Sequence, residues 1–155
     1  SDLHFYPDAN STLRVAYGQV KSYYPRDAVK YNFYTTLDGI MEKYVKDDEE
    51  FDVPTKLIDL YNKKDYGRYA VNGKLPIAFI ATNHTTGGNS GSPVINAKGQ
   101  LIGTNFDRVW EGTMSDISFN PEICRNVTLD IRYTLFVIEK YAGATRLINE
   151  LEIVN

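Results

Sequence analysis

Apolar and polar side chains alternate from Thr12 to Tyr24, with Leu13, Val15, Tyr17 and then Val20 in the apolar register. A period of two predicts a half-buried strand, and Gly18 marks a point where it can bulge. Pro7 and Pro25 bracket that strand, and Val29 to Thr36 reads as a second. The period then lengthens. Leu37, Ile40, Met41 and Tyr44 fall at helical spacing, and Pro54 opens another helical stretch on which Leu57, Ile58 and Tyr61 share a face. From Ile77 the pattern is β-rich again. Ile77 to Thr82 is a short buried strand, a glycine-rich turn follows, and Pro93 to Thr104 reads as a hairpin turning at Ala97-Lys98-Gly99-Gln100. Asp130 to Tyr141 is the best helix: Asp130 sits at or near its N-terminus, and Ile131, Leu135 and Ile138 form a stripe with Tyr133 and Phe136 adjoining. Gly143 interrupts it before a final stretch, Thr145 to Ile153.

The chain of 155 residues fits one domain with a sizeable core, expected to span 1–155. It is 43% hydrophobic and carries 12 Tyr and 7 Phe, too much apolar surface for a disordered tail. The formal net charge of −3 lacks the basic excess of a nucleic-acid binder, and Lys63-Lys64 reads as a solvated helix end. The run Asp47-Asp48-Glu49-Glu50 lacks the ligand spacing of a calcium loop and reads as a solvated loop, and no metal or cofactor is expected. The single cysteine, Cys124, permits no internal disulfide and reads as a buried structural thiol, although Arg125 follows it. No apolar run approaches a membrane span, and no signal-peptide pattern starts at Ser1. For an exported parent protein, the targeting segment would lie upstream.

Chemistry concentrates in Gly87-Gly88-Asn89-Ser90-Gly91-Ser92-Pro93. A serine hydroxyl becomes a good nucleophile when a base takes its proton and an oxyanion hole receives the developing charge. Glycines on both sides of Ser90 allow the unusual backbone that turns amide groups inward, as in chymotrypsin-type peptidases. On that motif the N–H groups of Gly88 and Ser90 form the hole. The rival G-x-S-x-G elbow requires glycine where Ser92 stands, and a helix where Pro93-Val94-Ile95 points to a strand. A triad also needs a histidine and an acid. Only His4 and His84 are present. His84, six positions before Ser90, reads as a loop or subsite residue rather than the base, and His4 is weaker still.

The segment from Thr82 to Gly103, continued by Asn105-Phe106-Asp107-Arg108-Val109-Trp110-Glu111-Gly112, resembles the bacterial dipeptidyl-peptidase 7 and 11 family. Tyr6 to Arg14 and Asp130 to Lys140 agree with it, so the resemblance covers nearly the whole chain, and it is nearer the Asp/Glu-specific members. It implies a mainly β fold with helices: the C-terminal half of a chymotrypsin-like double β-barrel, with helical stretches near 37–65 and at the C-terminus. It also implies that the first barrel, with the catalytic histidine and aspartate, and the helical cap domain lie outside this chain. The resemblance further implies a peptide substrate with a free N-terminus, a periplasmic or surface location in Gram-negative bacteria, and a homodimer for the full-length enzyme. Asp107 matches the residue that helps hold the substrate's α-ammonium. Arg108, eighteen residues beyond Ser90, matches the position that is arginine in members preferring Asp or Glu at P1. A guanidinium grips a carboxylate through two charge-assisted hydrogen bonds. The plainer possibility is a surface ion pair of Arg108 with Asp107 or Glu111.

The expected function is therefore release of N-terminal dipeptides with acidic P1 by a longer serine peptidase, the isolated chain being inactive. Two other readings stay open. A glutamyl-endopeptidase or HtrA-type endopeptidase shares Gly-Asn-Ser-Gly-Ser-Pro, but the helices of 37–65 and the Asp107-Arg108 pair speak against it. A non-catalytic binding module derived from a peptidase is the other, and the intact serine loop speaks against decay.

Overall fold

The computed structural model describes residues 12–154. The chain divides into two compact units, one formed by the residues up to Tyr34 with Ala78–Leu129, the other by Thr35–Ile77 with Asp130 onward. His4 and most of the Tyr6–Arg14 match lie outside the described residues.

In the first unit, β1 (Tyr23–Arg26) and β2 (Val29–Tyr31) form an antiparallel hairpin in which Tyr23 faces Tyr31. Most of a five-stranded sheet also belongs to this unit; its strands are β3 (Tyr34–Thr36), β4 (Pro76–Ala81), β5 (Pro93–Ile95), β6 (Leu101–Arg108) and β7 (Asn126–Asp130). Its order is β3-β4-β7-β6-β5. The sheet is open, with two three-residue strands at its edges. The expected barrel half therefore takes the form of an open sheet among the described residues. Val29–Thr36 is two strands rather than one, broken where the Asn32 side chain accepts the Phe33 N–H (2.9 Å).

The alternating segment from Leu13 to Tyr17 forms no strand. Leu13 is 94% and Tyr17 91% exposed. Pairing begins only further on, where the Gln19 and Thr82 backbones meet through Thr82 N–H to Gln19 O (3.0 Å) and Val20 bridges Ala81. A strand is stable only against a partner edge, so the period of two alone could not produce one. Gly18 permits a close backbone approach there, since a Cβ at this position would lie 2.6 Å from Asn83 N.

The buried set of this unit is rich in polar groups: Asn105, Ser115, Arg125, Asn126 and Thr128. Arg125 is 3% exposed and faces carbonyls, donating to Pro121 O (2.8 Å), Cys124 O (2.7 Å) and Lys21 O (3.1 Å), with the Tyr23 ring beneath it. These bonds offset the cost of burying the cation and tie β1's approach to the loop before β7. Cys124 is buried and unbridged, as expected. At Gly103 a Cβ would collide with Leu129 O and with Thr128 Cγ2, so β6 and β7 approach as closely as they do because the residue is glycine.

The second unit owns an apolar core of Leu37, Val53, Leu57, Tyr66, Tyr69, Leu75, Leu135, Phe136 and Ile148. The helical periodicities produce α1 (Leu37–Glu42), α2 (Thr55–Lys63), α3 (Ile131–Phe136) and α4 (Thr145–Asn149). Asp130 caps α3 by accepting the Arg132 N–H (2.9 Å). Beyond Phe136 the helix widens into one π turn over Val137–Tyr141, and Gly143, in the left-handed region at φ 69°, ends it. The acidic run is a turn in which the Asp48 carboxylate accepts the Glu50 and Phe51 N–H groups, both at 2.9 Å. Among the described residues no group of side chains could hold a metal ion, and no helix is long and apolar enough to cross a membrane.

Candidate active site

The serine loop lies between β4 and β5 and is fixed by short-range bonds. Asn89 closes it onto Thr86 twice: its N–H donates to Thr86 O (3.2 Å) and its Oδ1 accepts the Thr86 N–H (3.0 Å). Gly88 and Gly91 stand at φ 92° and 86°, a region that favours glycine. The Gly91 N–H donates to Asn105 O (2.8 Å) and the Asn105 N–H to Ser92 O (2.9 Å), which pins the loop to β6. The Gly88 and Ser90 N–H groups make no bond to an acceptor among the described residues. Ser90 is exposed, and its hydroxyl donates to Phe106 O (3.3 Å).

Beneath the loop runs a buried line of amides that the sequence did not single out. Asn126 Nδ2 donates to Asn105 Oδ1 (2.9 Å), and Asn105 Nδ2 donates to Asn89 O (3.2 Å), one residue before Ser90. Both asparagines are about as buried as the core.

β6 runs four residues beyond the expected hairpin, so Asp107 and Arg108 fall at its C-terminal end. There Ser90, Asp107 and Arg108 share a cavity of about 210 Å³ with Thr85, Thr86, Gly87, Asn105 and Phe106. Asp107 Oδ1 accepts the Arg108 N–H (2.8 Å). Arg108 pairs with neither of the carboxylates its sequence neighbours offered. Glu111 instead accepts the Tyr23 hydroxyl (2.8 Å), and the guanidinium meets Asp116 end-on: Nη1 to Oδ1 at 2.8 Å and Nη2 to Oδ2 at 2.9 Å. Nη1 also donates to the Ser115 hydroxyl (2.9 Å). Asp116 sits on a helical segment, Trp110–Asp116, that periodicity did not predict. The bonds from Arg108, and then one from Thr86, hold the Asp116 carboxyl below its ordinary value, while Asp116 raises Arg108 in return.

His84 faces the same region. Its Nε2–H donates to Ser115 O (3.2 Å), and its ring stacks on Phe119 with centroids 4.1 Å apart. A carbonyl can only accept, so Nε2 carries the proton.

The peptidase S46 family model matches residues 1–153. An Asp/Glu-specific dipeptidyl-peptidase of Flavobacterium psychrophilum is 67% identical over 97% of this chain, and dipeptidyl-peptidase 7 of Phocaeicola vulgatus is 54% identical over 96%. The structure resembles Porphyromonas endodontalis DPP11 crystallised with the dipeptide Arg-Glu, at 56% identity and a TM-score of 0.89 over 93% of the chain and 21% of DPP11. The chain spans about a fifth of the length of these relatives, 21% in each case. With the family profile matching almost end to end, the chain belongs to the peptidase S46 family.

Proposed function

We propose that this chain is the nucleophile-bearing portion of a longer serine dipeptidyl-peptidase that removes N-terminal dipeptides ending in Asp or Glu. The observation that carries the reading is the single cavity joining Ser90, Asp107 and Arg108. In the proposed reaction Ser90 Oγ attacks the carbonyl carbon of P1 itself, and its proton passes to a histidine from outside these 155 residues, which hands it on to the leaving amine. The N–H groups of Gly88 and Ser90, uncommitted among the described residues, receive the oxyanion. Departure of the shortened peptide leaves an acyl-enzyme that water hydrolyses. Asp107 takes the substrate's α-ammonium, which limits the cut to the second residue. Arg108 takes the P1 carboxylate. Periplasmic or surface location, a first barrel that supplies the base and its acid, and a homodimer belong to the same reading.

The experiment is a P1 scan on the full-length enzyme. Peptides with free N-termini and Asp or Glu at P1 are cleaved fastest, blocked ones resist, and Arg108→Gly moves the preference toward apolar P1. An unchanged P1 order in Arg108→Gly would refute the assignment of Arg108. Rapid cleavage of blocked peptides would replace a dipeptidyl-peptidase with an endopeptidase.

A further inference from the structure

Arg108 carries five N–H donors, and the structure commits three of them. Both Nη1 protons are used, one by Ser115 Oγ and one by Asp116 Oδ1, and Nη2 gives one proton to Asp116 Oδ2. The Nε proton and the second Nη2 proton meet no acceptor among the described residues. These two lie side by side on one edge of the guanidinium, parallel and spaced for a carboxylate to accept both. Asp116 thus takes the end of the fork and leaves its side.

We propose that Asp116 is a positioning residue for P1 recognition: it holds Arg108 end-on so that the Nε/Nη2 edge stands as a preformed receptor for a second carboxylate, that of a P1 Asp or Glu. The inference rests on the reading of Arg108 as the P1 contact and adds the group that sets its geometry. Three features support it. The side chain of Arg108 is only 27% exposed although it lines the Ser90 cavity, so it is held rather than sampling solvent. Ser115, whose hydroxyl takes the remaining Nη1 proton, is 4% exposed and is itself engaged at its carbonyl by His84, giving the guanidinium a rigid floor. An arginine side chain has many rotamers to lose on binding a ligand. Asp116 removes that loss before substrate arrives, so the P1 carboxylate meets a pre-oriented fork. Asp116 also leaves the cation paired when the pocket is empty.

The test compares acidic and apolar P1 substrates on the full-length enzyme. Asp116→Asn keeps size but replaces one accepting oxygen with a donor that opposes Nη2. It raises KM for P1 Asp and Glu about tenfold, the scale of one charge-assisted hydrogen bond. The kcat for those substrates changes little, and kcat/KM for apolar P1 is unaffected. In an Arg108→Gly background the same substitution leaves the acidic-to-apolar ratio unaltered. With Arg108 in place, equal losses for acidic and apolar substrates, and so an unchanged ratio, would overturn the proposal. Should Asp116→Asn not fold, Asp116→Glu keeps the charge but displaces the carboxylate by one methylene, and the acidic-to-apolar ratio must still fall; a retained ratio overturns it equally. Wild-type enzyme with no acidic P1 preference would instead defeat the functional reading itself, whatever Asp116 does.

Discussion

The asparagine line beneath the loop shows how a single residue can govern a reactive one it never touches. Asn126 reaches Ser90 only through Asn105 and the carbonyl of Asn89. Removing the amide of Asn126 leaves Asn105 Oδ1 buried without its donor, a loss of about 1–3 kcal/mol. Asn126→Ala is therefore expected to lower the urea midpoint of the chain. In the full-length enzyme it should also slow fluorophosphonate labelling of Ser90, because the loop loses its brace. Labelling at the wild-type rate would show that the short-range Thr86–Asn89 bonds suffice. At this scale the sequence disclosed Ser90 and Gly88 through local motif chemistry, whereas Arg108 stood out only through resemblance. Asp116, Asn105 and Asn126 carried no local signal. Their importance arises from which strand or turn they face, and sequence spacing does not encode that.

Elements were readable where their cause is local. The hairpin of β5 and β6 follows from its turn, where Asn96 Oδ1 accepts the Lys98 and Gln100 N–H groups (2.9 and 3.0 Å) and Gly99 takes φ 78°. The helices follow from apolar spacing that the second unit buries. The strand expected at Leu13–Tyr17 failed because a strand's stability belongs to a pair, and the extension of β6 to Arg108 was missed for the same reason. The helical unit makes its own prediction. Tyr66 is 2% exposed and packs edge-on against Phe136, with ring centroids 6.2 Å apart. Burial, and then the Asp38 carboxylate and Tyr61, push its phenol from an ordinary 10.0 up to about 12. The folded state thus binds the proton more tightly than the unfolded state. Its contribution to stability is complete below pH 10.0 and is lost as pH rises through about 12. Tyrosinate absorbance of Tyr66 should rise together with loss of helical circular dichroism, and Tyr66→Phe should move the alkaline midpoint upward. An identical midpoint would assign the transition to other groups.

The two units differ in how far they satisfy themselves, and that difference bears on the molecule as a whole. The helical unit has a closed apolar core, with Leu37 and Phe136 wholly buried. The unit carrying Ser90 buries mainly polar groups and leaves Leu13 94%, Tyr17 91%, Trp110 83% and Ile117 81% exposed. Leu13 and Tyr17, with Val15 at 77% exposed, lie close together in the chain, and apolar side chains gathered in water are uncommon on a soluble monomer. Leu13, Val15 and Tyr17 alternate in sequence, so an added strand or sheet could take all three on one side. On the reading proposed above, the rest of the longer peptidase covers these side chains. The chain on its own has only itself to use. It should self-associate, with a sedimentation coefficient that rises across a concentration series. Replacing Leu13, Val15 and Tyr17 together with Ser, Thr and Ser should suppress that rise without changing the melting of the helical unit. A concentration-independent monomer would mean that this surface is tolerated in water, and the exposed alternation would no longer argue for a missing partner. Fluorophosphonate labelling gives the complementary reading: Ser90 should react in the full-length enzyme and not in Ser90→Ala, and only slowly in the isolated chain, whose hydroxyl rests on Phe106 O.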